Sequence, residues 1–151
     1  MVLRSVDSTA WFELRLQGMG SAALLFALRL ATPSLRLALD EVSFARRDLR
    51  DFAAECQRLA SGEPLHPRLR ARDLLGAELR LRPDATPGLL RLTADLAWAR
   101  AGAGPETYAA AERVTATFEV TPAELYAFAA ALTRTVEQRI GGAGTRPTPR
   151  P

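Results

Sequence analysis

Part of this chain is written twice, and that limits its fold more than any other feature. Residues 12–16 read FELRL and residues 77–81 read AELRL. Asp48-Leu49, Phe52-Ala53-Ala54 and Arg58 return as Glu124-Leu125, Phe128-Ala129-Ala130 and Arg134. Each half is predicted to run strand, strand, strand, helix. A half of about 65 residues buries too little apolar surface to stand alone, whereas two halves packed together bury enough. The offset is 65 from Phe12 to Ala77 but 76 from Leu49 to Leu125, so the second half carries 11 additional residues. They fall in the Gly- and Ala-rich stretch 101–111, which holds Tyr108.

Hydrophobic periodicity places the elements. Residues 11–17 alternate, with Phe12, Leu14 and Leu16 inward and Trp11, Glu13, Arg15 and Gln17 outward. Residues 23–31 follow, burying Leu24, Phe26, Leu28 and Leu30. Residues 35–44 alternate through Leu35, Leu37 and Leu39 and then change phase to Val42 and Phe44. That change predicts a β-bulge at Asp40-Glu41. Leu49, Phe52, Ala53, Cys56 and Leu59 recur at helical spacing across 46–61, and Gly62 ends the helix.

The stretch 63–76, with Pro64 and Pro67, reads as a connector with a short helical turn at 69–75. Three further strands are predicted at 77–82, 89–100 and 112–120. Thr121-Pro122-Ala123-Glu124 then carries the marks of a helix start: an N-cap Thr, Pro at the first position and Glu at the third. Leu125, Phe128, Ala129, Leu132 and Val136 form that helix's stripe. The expected fold is a two-layer α+β domain over residues 1–142. A six-stranded antiparallel sheet carries both helices on one face, built from pseudo-duplicated β-β-β-α halves at 11–62 and 77–141. Residues 143–151 read as a disordered tail.

Composition narrows the function. Hydrophobic residues make 48% of the chain and charged ones 25%, enough for an ordinary soluble core. All 20 basic residues are Arg, a usage that fits GC-rich coding, and 17 acids are interspersed for a net charge of +3. With the Arg spread along strands and helices, no basic field of the nucleic-acid-binding kind is expected. Arg68, Arg70 and Arg72 read as a solvated connector. The single Cys56 excludes an intrachain disulfide and fits a reducing compartment. No apolar run reaches the ~20 residues of a membrane span, and the beginning of the chain does not read as a signal peptide, so the expected location is cytoplasmic.

No catalytic motif is legible. His66 stands alone beside Pro67, without zinc-ligand spacing. Cys56 belongs to an apolar helix stripe. Gly18/Gly20 and Gly102/Gly104 lie between strands, where a phosphate loop would need a strand and a helix. The adjacent carboxylates Asp40 and Glu41 point to opposite faces of a strand. The reading is a non-enzyme with no metal and no cofactor. What remains is surface: Trp11, Glu13, Arg15, Arg80, Arg82, Arg91, Thr93 and Asp95 are predicted to share the uncovered face of the sheet, a mixture suited to protein recognition. Tyr108 in the insertion is a second candidate.

Residues 121–132 (TPAELYAFAAAL), together with residues 48–54 (DLRDFAA) and the FELRL start, resemble the WapI-like family of bacterial immunity proteins, over about residues 11–140. The resemblance implies a small non-enzymatic protein, encoded beside a polymorphic toxin, that binds and neutralises that toxin. It brings no catalytic residues. Two other readings stand beside it. One is a structural or adaptor subunit whose sheet edges pair into homo-oligomers. The other is a small-molecule-binding domain using a cleft between the helices and the connector.

Overall fold

A computed structural model describes residues 1–19, 22–72, 76–99 and 111–137. The order of elements is four strands and a helix, twice over. The first run is β1 (Val2–Arg4), β2 (Trp11–Met19), β3 (Ala23–Thr32), β4 (Leu35–Ala45) and α1 (Arg46–Ala60). The second is β5 (Arg68–Arg70), β6 (Ala77–Pro83), β7 (Leu90–Ala99), β8 (Ala111–Val120) and α2 (Pro122–Glu137). The α+β class holds, but the strands form two four-stranded antiparallel meanders, β1-β2-β3-β4 and β5-β6-β7-β8, instead of one six-stranded sheet. The difference comes from the two three-residue strands. β5 lies in what reads as a connector, and Arg68–Arg70 pairs with β6 where a helical turn was expected nearby. The tail 143–151, most of 101–111 and Tyr108 lie outside the described residues.

Period-two alternation holds along the strands as predicted, now divided between two sheets. Phe12, Leu14, Leu24, Phe26, Leu28 and Leu30 are buried from the first sheet, and Leu79, Leu81, Leu92, Ala94, Leu96 and Val120 from the second. The phase change in β4 is a bulge. Leu39 pairs with Leu28 and Val42 with Phe26, which leaves Asp40 and Glu41 together opposite Ala27. Glu41 absorbs the extra residue with a left-handed φ of 61°. A second irregularity lies beside it in β2, where Gln17 is skipped between Leu16 and Gly18. The Gln17 side chain spans the strand between them. Its Oε1 accepts the Glu41 backbone N–H at 3.2 Å and its Nε2 donates to Asp40 Oδ1 at 3.4 Å.

The helices start and stop by identifiable chemistry. In α2, Thr121 Oγ1 accepts the Glu124 N–H at 3.1 Å, a side-chain N-cap. In α1, the chain turns out through Gly62 at φ 97°, and Arg58 forks onto the Glu63 carboxylate. Both apolar stripes enter one hydrophobic core shared with the inner faces of both sheets. The packing is crossed. Helix α1 follows the first sheet in sequence yet also lies against β5 and β6, while α2 follows the second sheet and lies against β1 and against α1. Phe12 of β2 and Phe128 of α2 meet with ring centroids 6.2 Å apart.

Among the described residues, two backbone bonds sew the sheets together. Val6, two residues past β1, donates to the Glu119 carbonyl of β8 at 3.0 Å. Arg72, two residues past β5, donates to the Ser43 carbonyl of β4 at 2.8 Å.

Candidate recognition surface

The register of the second sheet arranges its outward side chains in rows. Arg70, Glu78, Asp95 and Thr115 form one row across β5 to β8. Arg68, Arg80, Thr93 and Thr117 form the next, and Arg82, Arg91 and Glu119 a third. Arg113 stands opposite Ala97 at the end of the face. These contacts come from distant parts of the chain, so antiparallel pairing alone assembles the cluster.

Two carboxylates anchor it from below. Glu78 accepts from Arg68 Nε, from Arg70 Nε at 3.1 Å, and has Arg80 Nε at 3.6 Å. Asp95 accepts from Thr115 Oγ1 and from Arg80 Nη2 at 2.5 Å, with Arg113 Nη2 at 3.4 Å. The Asp95 side chain is only 8% exposed, whereas those of Arg80 and Arg113 are 49% and 69% exposed. The acids are therefore recessed and the guanidinium groups outermost. Both carboxyls are held below the ordinary carboxylate range. For Glu78 the Arg68 hydrogen bond is the main cause; for Asp95 it is the Thr115 hydroxyl, aided by Arg113 and Arg80 against the opposing effect of burial.

At the far corner Arg91 Nε bonds Asp84 Oδ2 at 2.5 Å, and Asp84 is itself held by the Thr86 N–H at 2.9 Å. Arg82 is exposed and has no ion-pair partner among the described residues.

The predicted surface residues divide between the sheets. Arg80, Arg82, Arg91, Thr93 and Asp95 share the outer face of the second sheet as expected. Trp11, Glu13 and Arg15 do not join them, because β2 belongs to the first sheet, where they stand beside Ala31, Arg29 and Ala27 of β3. The expected single face is therefore two faces. Arg68, Arg70, Arg113 and Thr115 were not foreseen as members of the cluster. The signal for Arg68 and Arg70 was present in the alternation of RLR at 68–70, which places both on one side, whereas Arg113 and Thr115 are brought to the face by the register of β8 with β7.

Other chemistry is sparse. Among the described residues no group of three His, Cys, Asp or Glu is placed to hold a metal ion. His66 is exposed between α1 and β5. Cys56 is fully buried, and burial pushes its thiol far up from the usual range. Among the described residues no helix is long and apolar enough to cross a membrane.

A cleft of about 430 Å³ opens at the sheet seam, lined by Ser5, Asp7, Thr9, Arg91, Thr117 and Glu119 among others. Its polar groups already hold one another: Asp7 accepts from the Ser5 and Thr9 hydroxyls, and Arg91 is paired with Asp84. Comparison with protein-family models, curated proteins and solved structures finds no match for this chain.

Proposed function

We propose that this protein is a non-enzymatic protein-binding module whose recognition surface is the outer face of the second sheet. One observation carries the reading: recessed carboxylates under projecting guanidinium groups. Arg68, Arg70, Arg80, Arg82, Arg91 and Arg113 outnumber Glu78, Asp84, Asp95 and Glu119 there, and the Thr93–Thr117 pair supplies hydroxyls between them. Such a face offers forked donors to a partner's carboxylates, with the geometry of several forks set in advance by ion pairs. The partner is a protein with an acidic surface. A bacterial toxin domain, neutralised by this chain as an immunity protein, is the class implied by the likeness to the WapI-like family, and cytoplasmic residence fits that role. The matching order of elements in the two halves supports an origin by duplication of one unit. So does the correspondence of the two sewing bonds, Val6 to Glu119 and Arg72 to Ser43.

The test is direct. The chain is immobilised and exposed to the product of a neighbouring toxin gene, as wild type and as the double variant Arg70→Glu/Arg82→Glu. Both sites are exposed, so the fold should survive. The expected result is binding that weakens with added salt and falls about 10-fold or more in the variant, the loss of at least one well-placed contact. Equal binding by the variant would move the site elsewhere. Retention of DNA or RNA in preference to protein would replace the reading with a nucleic-acid one.

A further inference from the structure

Strand β4 is an edge. It pairs with β3 on one side. On the other side, among the described residues, the bond from Arg72 reaches it only at Ser43, past the bulge. Among the described residues, no strand pairs with 35–40 on that side. The direction of their free groups follows from the turn. Thr32 pairs with Leu35 across the two-residue turn Pro33-Ser34, so they are the hydrogen-bonded closing pair. Alternation then points the N–H and C=O of Leu35, Leu37 and Leu39 at β3, and those of Arg36, Ala38 and Asp40 at the open edge. The side chains alternate as well. Arg36, Ala38 and Asp40 are exposed, while Leu35, Leu37 and Leu39 are only half-buried at the margin of the core. An open edge backed by half-covered leucines is a template for another strand.

We infer that the occupant is a second copy of this chain, with β4 pairing antiparallel to β4 about a two-fold axis at Ala38. Charge complementarity selects this register. It sets Arg36 opposite the partner subunit's Asp40 and Asp40 opposite the partner subunit's Arg36, with Ala38 facing Ala38 of the partner subunit between them. On the inner side Leu37 falls opposite the partner subunit's Leu39. The same groups that face the open edge then form the hydrogen-bonded pairs. Any other register that keeps those groups facing one another sets Arg36 against Ala38 or another Arg36, or Asp40 against Ala38 or another Asp40, and forfeits the ion pairs. The left-handed turn at Glu41 ends the ladder, which keeps it short and its register unique. An isologous contact of this kind closes on itself as a dimer. It extends the first sheet and does not use the outer face of the second.

Sedimentation equilibrium tests it. The wild-type chain of 16.4 kDa should approach twice that mass as concentration rises. Arg36→Asp opposes two carboxylates at both ends of the ladder, and Asp40→Arg opposes two guanidinium groups. Each variant alone should lose dimerisation by about 10-fold or more. An equimolar mixture of the two should associate again, because every facing pair is then of opposite sign. Both positions are exposed, and circular dichroism establishes that each variant is folded. The inference is overturned if the wild type stays monomeric throughout. It is also overturned if the single variants dimerise as the wild type does, or if the folded variants fail to associate when mixed.

Discussion

Replacing Phe128 by Ala should weaken the whole molecule, although the residue sits on the last described helix. Its ring is 3% exposed and meets the fully buried Phe12 of the first sheet. Truncating a buried Phe to Ala costs about 3–5 kcal/mol through lost transfer energy and the cavity left behind. Within that, the tilted ring pair contributes about 0.5–1.5 kcal/mol. For a chain of this size each kcal/mol lowers the melting temperature by about 2–4 °C, so the drop should be on the order of 10 °C. Thermal and urea unfolding, followed by circular dichroism and by tryptophan fluorescence, would measure it. Both probes should move together in one transition, because α2 covers the sheet of the other half and the core is continuous. A double-mutant cycle of Phe128→Leu with Phe12→Leu isolates the ring pair. A fall below about 3 °C, or a melt in two steps with only one displaced, would refute the crossed packing as the main source of stability.

Asp95→Asn keeps the shape but removes the charge between Arg80 and Arg113; it should cost about 1–3 kcal/mol at neutral pH in urea titrations. Asp95 has a carboxyl lowered by folding, so its contribution is complete above the unfolded value near ~3.9 and is lost as pH falls through the folded one. The gap between variant and wild type should therefore close in acid, and a gap independent of pH would contradict the assignment. Glu41→Gly should raise stability by about 0.5–1 kcal/mol, since glycine adopts the left-handed φ without steric cost. A lowered melting temperature would show that the Glu41 side chain contributes more than its backbone costs.

The elements were legible from residue patterns because each has at least two periods to display. FELRL, the leucines of β3, the phase change at Asp40-Glu41 and the stripe from Leu49 to Leu59 all report local geometry. Strands β1 and β5 did not declare themselves. VLR and RLR are too short to show a period, and Pro64 and Pro67 made the second resemble a loop. With them went the division into two sheets, since sheet membership is set by pairing between distant residues. The make-up of the proposed recognition face was hidden for the same reason. Arg80 and Asp95 were placed correctly because their own strands alternate. Trp11 was assigned to their company because nothing local says that β2 and β6 belong to different sheets. Arg113 gained its place only through the register of β8 with β7.

The crossing of the helices bears on how the chain is made. A polypeptide leaves the ribosome from its first residue, and the first four strands can pair soon after they emerge. Their inner leucines cannot be fully covered then, because part of the cover is α2, which begins at Pro122. Nor can Val6 find its acceptor until Glu119 has been added. Everything through α2 must be synthesised before the first sheet is shielded, and until then its apolar surface faces solvent. Ribosomes stalled before α2 should therefore hold chains that aggregate once released, whereas chains released after α2 should not.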